Sequence, residues 1–219
     1  MPGEPFTATS ADLPAVRGFL HRPPSPSPDG LVLTHGAGGN ADTPLLIDLA
    51  TAFAASRMTV LRCDLPFRQA RRTGPPLRSD APVDRAGLAR AVAAVRALGV
   101  ERVFLGGQSY GGRQASMLAA EEPTLVTGLL LLSYPLHPPG RPGDLRTAHL
   151  PKLRGRIVFI HGTTDPFGSP EEIEAARALI TAPTTLILTD GGHDLGYRKP
   201  RRDLIERIVA ACASWRAPV

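Results

Sequence analysis

At 219 residues, 42% of them hydrophobic, the chain is long enough to bury the core of one domain without disulfide support, and residues 1–219 are read as a single domain. Two cysteines, Cys63 and Cys212, are too few for a disulfide framework, and no stretch approaches the roughly 18 apolar residues that cross a bilayer; buried thiols, a cytoplasmic location and no membrane partner are therefore expected. The formal charge of +5 rests on 23 Arg against 2 Lys, scattered along the chain and not interleaved with its 5% of aromatic residues, which argues against a nucleic-acid partner.

Residues 1–7 lack the basic stretch and apolar run of a leader, so none is expected. An early strand is predicted near residues 16–20. A turn containing Pro23, Pro24, Pro26 and Pro28 then leads to an apolar strand at residues 31–33. A helix around residues 45–50, a strand at 60–61 and an alanine-rich helix over 86–98 follow. Between the last two lie Arg62, Arg68, Arg71, Arg72 and Arg78, read as a solvated loop with an anion-recognising rim as the alternative. Strands at 103–105, 129–132, 157–160 and 186–188 alternate with helices from Tyr110, over 170–180 and over 200–215. Ser169, Pro170, Glu171 and Glu172 mark the start of the 170–180 helix, with acidic side chains at its positive end. Strands that read as continuous apolar runs are covered on both faces, so the fold class is α/β, a mostly parallel sheet with helices on both sides.

In such a sheet, ligands gather at the carboxyl ends of the strands. His35-Gly36-Ala37-Gly38-Gly39 follows the 31–33 strand, Gly107-Gln108-Ser109-Tyr110-Gly111 follows 103–105, His161-Gly162-Thr163-Thr164-Asp165 follows 157–160, and Gly191-Gly192-His193 follows 186–188. A Gly-x-Ser-x-Gly string alone recurs by chance, but between a strand and a helix it is where a strained turn lifts a serine Oγ clear of the sheet. Ser109, Asp165 and His193 are the candidate nucleophile, acid and base, in that chain order. Asp190 and Asp194 compete with Asp165, which is favoured by its place at the end of the preceding strand, before Pro166. Flanking glycines Gly36, Gly38 and Gly39 are expected to permit close backbone approach.

From the His35 loop to His193 the chain resembles an α/β-hydrolase. Within that superfamily, His35–Gly39, Asp64-Leu65-Pro66-Phe67-Arg68, Gly111-Gly112-Arg113 and Ser133-Tyr134-Pro135-Leu136-His137-Pro138-Pro139 resemble the KANL3/Tex30-like branch. The resemblance implies a cofactor-independent serine hydrolase acting on a small-molecule acyl substrate, most naturally an ester or thioester. It places the oxyanion at the backbone N–H groups of Ala37 and Tyr110, and makes Gly38, Tyr134 and Phe167 candidate substrate contacts. Tyr110 stands where much of this branch carries Met.

His35 and His161 are read as structural rings bonded to nearby loops. Six histidines without an H-x-x-x-H pair give no basis for a metal site, and no cofactor is expected. Arg113 is read as pinning a loop through carbonyls or a carboxylate, with Asp64 a possible partner. Residues 134–156 carry five prolines and no amphipathic helix, which suits a stiff rim better than a mobile lid. Two other function classes remain in view. One is a non-catalytic interaction module on this fold; the other is a nucleotide-binding domain using Gly106–Gly111, which lacks an acidic residue after the 129–132 strand. The sequence leaves the oligomeric state open.

Overall fold

Each apolar run predicted as a strand pairs into one eight-stranded sheet in a computed structural model that describes residues 3–25 and 27–216. Residues 1–2 and 217–219 of the expected 1–219 domain, and Pro26 of the proline-rich turn, lie outside the described residues. The elements are β1 (Glu4–Ala8), β2 (Val16–His21), β3 (Asp29–Thr34), α1 (Pro44–Ala55), β4 (Thr59–Cys63), α2 (Pro66–Ala70) and α3 (Asp80–Arg96). They continue with β5 (Arg102–Gln108), α4 (Tyr110–Glu121), β6 (Gly128–Leu132), β7 (Arg156–Gly162), α5 (Pro170–Arg177), β8 (Thr184–Thr189) and α6 (Arg202–Cys212). Strand order is β1-β2-β4-β3-β5-β6-β7-β8; β2 runs antiparallel to β1 and β4, and all other pairs are parallel.

Side chains alternate across each strand, so the fully buried strands feed two cores. Val32, Leu61, Leu105 and Leu129 face Leu88, Val92, Ala115 and Leu118 of α3 and α4. Leu31, Leu33, Val60, Phe104 and Leu130 face Leu46, Leu49 and Phe53 of α1 and Leu204 and Ile208 of α6. Trp215 stacks on Phe104 with ring centroids 4.2 Å apart and closes the second core. After β3 the chain moves to β4 on one side and then to β5 on the other. The loops leaving β3 and β5 therefore diverge at a topological switch point, where such sheets open a crevice.

Several boundaries differ from the sequence reading for local reasons. β1 carries no apolar run and exists through its pairing with β2. The 86–98 helix begins at Asp80, because Pro82 lies in the first turn, where its missing N–H has no partner to lose. α5 ends at Arg177 and tightens through Leu179 N–H to Ala176 and Ile180 N–H to Arg177, which tucks Ile180 into the core. The 200–215 helix is α6 followed by a 3-10 turn, Ala213–Arg216. Among the described residues, only loop and the turn Leu150–Lys152 lie between β6 and β7, so no large lid stands there.

The arginine-rich stretch is the solvated loop read from the sequence only in part: Arg72 and Arg78 are exposed on it, whereas Arg62 and Arg68 are buried. Arg62 lies on β4, 4% exposed, stacked 4.3 Å over Phe19 and donating to His21 Nε2, the Ala41 carbonyl and Asp42. Arg68 lies in α2 and is also buried. Pro66 at the first helical position, where proline is preorganised, explains why five loop-like residues form that helix.

Candidate active site

Ser109 occupies the turn between β5 and α4 at φ 50°, ψ −116°, a conformation that is strained for a residue with a Cβ. Its N–H is held by the Leu132 carbonyl at 2.8 Å, and its own carbonyl accepts from Arg113 N–H at 2.9 Å. Close backbone approach explains the neighbouring glycines: a Cβ on Gly111 would stand 2.4 Å from the His35 carbonyl, and one on Gly107 would stand 2.7 Å from Gly111 and Gly112.

The structure brings Ser109, His193 and Asp165 into one hydrogen-bonded chain, although they lie 28 and 84 positions apart in sequence. Ser109 Oγ is 2.7 Å from His193 Nε2, and His193 Nδ1 is 2.8 Å from Asp165 Oδ2 and 3.1 Å from Oδ1. A carboxylate only accepts, so Nδ1 carries the proton and Nε2 is free to accept from the serine hydroxyl. The Asp165 carboxylate is buried and also accepts from Phe167 N–H at 2.9 Å. The Phe167 ring lies against the His193 ring, centroids 4.1 Å apart. Of the competitors, the Asp194 carboxylate accepts from Gly196 N–H and pairs with Arg198, and neither Asp190 nor Asp194 bonds the His193 ring, whose Nδ1 is on Asp165.

The loop after β3 borders the same cleft. Ala37, Ser109, Tyr110 and Phe167 line a volume of about 620 Å³. The neutral ring of His35, its proton affinity lowered chiefly by burial, donates from Nδ1 to the Gly36 carbonyl at 2.8 Å and accepts Leu65 N–H at Nε2. His161 likewise bonds the Gly168 carbonyl at 2.7 Å. Both rings have the structural roles read from the sequence. Arg68 donates to the carbonyls of Ala37 (2.7 Å), Gly39 (2.8 Å) and Gly74 (3.1 Å), tying the loop to α2 and the turn beyond it.

Other expectations need correction. Gly38 has nothing within 4 Å of its missing Cβ, so close approach does not explain it; it lines a neighbouring depression with Arg68 and Arg72. Tyr134 is 1% exposed and donates its hydroxyl to the Arg146 carbonyl at 2.8 Å; it supports the rim from below and does not face the cleft. Asp64 is not the partner of Arg113. It accepts Ala41 N–H at 2.7 Å and lies 3.7 Å from His35 Nε2. Tyr110, whose ring borders the cleft, donates its hydroxyl to Asp84, a buried carboxylate that also accepts Phe67 N–H and whose pKa burial pushes up. Sequence reasoning missed Asp84 and Arg68 as supports of the site, since a lone Asp on a helix and an Arg among prolines carry no local signal. Cys63 and Cys212 are buried free thiols, and burial pushes Cys63 up to about 12. Among the described residues no group of three metal-ligating side chains occurs, and no helix is long and apolar enough to cross a membrane.

Residues 28–216 match the protein family described as the alpha/beta hydrolase domain. Solved structures of the same fold include an alpha-beta serine hydrolase homologue from Coxiella burnetii (16% identity, 96% of this chain and 98% of that one, TM-score 0.76). A dienelactone hydrolase from Anabaena variabilis is also similar (18% identity, 98% and 97%, TM-score 0.75). So is an a/b serine hydrolase without lid from Xanthomonas campestris (19% identity, 100% and 99%, TM-score 0.72). With the family match spanning all strands but β1 and β2, the switch-point crevice and the hydrolase topology agree, and this chain belongs to the α/β-hydrolase family.

Proposed function

We propose that the protein is a cofactor-independent serine hydrolase that cleaves an ester or thioester of a small acyl substrate through a Ser109-His193-Asp165 triad. The observation that carries this reading is the unbroken hydrogen-bond chain from Ser109 Oγ through both His193 nitrogens to the buried Asp165 carboxylate. Ser109 Oγ attacks the acyl carbon as its proton passes to His193 Nε2. Asp165 favours the imidazolium that forms. The C–O or C–S bond to the leaving group then breaks, and the same proton leaves with the alcohol or thiol. Water, deprotonated by His193, attacks the acyl-Ser109 carbonyl and releases the acid, restoring the serine hydroxyl. Ala37 and Tyr110 N–H groups meet the tetrahedral oxyanion in both halves, each donor worth about 10²–10³ in rate.

The open cleft and the lack of a lid among the described residues support small or moderate substrates over interfacial lipids. The narrower KANL3/Tex30-like likeness rests on the sequence strings alone, and it keeps in view a non-catalytic interaction module on the same fold. Intact-mass analysis after incubation with a fluorophosphonate, followed by peptide mapping, separates the two. A single adduct on Ser109, lost in Ser109→Ala, is expected; a folded protein that takes no adduct overturns the hydrolase reading.

A further inference from the structure

The cleft beside Ser109 is lined by Arg78, Arg113 and Arg146 and by no acidic side chain. Arg113 follows Ser109 by one turn of α4, and its half-buried guanidinium makes no ion pair and no side-chain hydrogen bond among the described residues; its Nε is a buried donor without an acceptor. The guanidinium of Arg146, also half-buried, makes one hydrogen bond among the described residues, to the Pro135 carbonyl at 3.3 Å. Fully buried Gln114, the next residue on the cleft wall, gives its side-chain oxygen to Arg85 at 3.1 Å and leaves its Nε2 without an acceptor. The Arg113 charge acts on its neighbours. Burial and the Arg113 charge together lower the proton affinity of Arg146, and they bring His149 down to about 4.

Buried Arg62 and Arg68 donate to carbonyls and half-buried Arg71 and Arg85 pair with Asp80 and Glu121; Arg90 and Arg156 share with Arg113 a buried Nε without an acceptor, but they do not line the cleft. Two half-buried guanidinium groups held near one another, with no carboxylate in ion-pair contact among the described residues and only the more distant Asp144 acting on Arg146, cost stability that a ligand carboxylate would offset. Guanidinium is planar and forked, and its complement is a carboxylate. Resting on the serine-hydrolase reading, we infer that the substrate carries a carboxylate that is bound by Arg113 and Arg146 while Ser109 attacks its ester or thioester carbonyl. Arg78, exposed at the rim, adds attraction during approach.

The test compares kcat/KM for two ester pairs, 4-nitrophenyl hydrogen glutarate against 4-nitrophenyl valerate and 4-acetoxybenzoate against 4-tolyl acetate. The pairs place the charge on the acyl and on the leaving side respectively. The expected result is a preference of about tenfold or more for the charged member of at least one pair. That preference is lost in Arg113→Met and Arg146→Met and partly kept in Arg113→Lys, with fluorophosphonate labelling of Ser109 unchanged. Calorimetry of monomethyl glutarate and 4-acetoxybenzoate on Ser109→Ala gives a readout that needs no turnover; binding of one of them, lost in Ser109→Ala/Arg113→Met, is expected. No charged preference and no binding of either anion, or a preference and binding that survive in both methionine variants, overturns the inference. Failure of labelling in wild type instead overturns the hydrolase reading and leaves the binding result to decide the anion site.

Discussion

His35 Nδ1 donates to the Gly36 carbonyl at 2.8 Å, and because the peptide unit is planar and trans this bond also sets the direction of the Ala37 N–H, opposite to that carbonyl. Gly39 N–H reaches the same carbonyl at 3.1 Å, and Arg68 holds the next carbonyl, that of Ala37, at 2.7 Å. A buried imidazole and a buried guanidinium thus hold the carbonyls on either side of the Ala37 N–H, the donor proposed for the oxyanion.

Loosening that loop should lower turnover more than substrate binding. His35→Phe and Arg68→Met are expected to reduce kcat by about 10–10³-fold, up to the value of one oxyanion donor. Arg68→Lys should recover little, since one ammonium cannot span the Ala37 and Gly39 carbonyls as the fork does. Steady-state kinetics with circular dichroism as the folding control checks this; a loss confined to KM would contradict it.

Ser109 holds φ near 50° with ψ near −116°, a conformation that is strained for a residue with a Cβ. Ser109→Gly and Ser109→Ala both remove the hydroxyl and its bond to His193, but only glycine relieves the backbone. Urea titration should find Ser109→Gly about 1 kcal/mol more stable than Ser109→Ala, with both inactive toward fluorophosphonate.

Asp84 joins two elements at the cleft wall, accepting Phe67 N–H at 2.9 Å and the Tyr110 hydroxyl at 2.8 Å. Asp84→Ala leaves the buried Phe67 N–H and the part-buried Tyr110 hydroxyl without their acceptor and should cost about 2–4 kcal/mol. Asp84→Asn keeps an acceptor for Phe67 and should cost less. Equal losses in the two variants, read from denaturant midpoints at unchanged m, would show that the bonds are not the cause.

His149 lies 2.8 Å from Ser116 Oγ, and burial followed by the Arg113 charge lowers it to about 4, below the ordinary value of 6.5. Between about pH 6.5 and 4 the unfolded chain binds a proton that the native site refuses, so this residue's contribution to stability falls as the pH drops through that window and is constant above it. Thermal midpoints from pH 7 to 4 should decline less steeply for His149→Gln than for wild type. Parallel slopes would refute the assignment.

Much of the sheet was legible because buried parallel strands write themselves as apolar runs. Leu31–Leu33, Leu129–Leu132 and Ile157–Ile160 needed no context, and Ser169 before Pro170, Glu171 and Glu172 announced α5. β1 and α2 were not legible: an exposed edge strand depends on its neighbour, and a five-residue helix among prolines on what it docks against.

The candidate site divides in the same way. Ser109, Asp165 and His193 each follow an apolar run, so strand ends and chain order sufficed to name them as candidates; sequence alone determined the parallel α/β class and proposed these three positions in hydrolase-like order. Tertiary structure decided what surrounds them. It turned Arg62 and Arg68 from loop solvation into buried braces, withdrew Tyr134 from the cleft, separated Arg113 from Asp64 and lined the cleft with cationic side chains and no acidic one. The physical reason is range. Periodicity and capping act within a few residues, whereas an arginine's role depends on which acceptors the fold brings near its fork, and those lie up to 31 positions away in the case of Arg68.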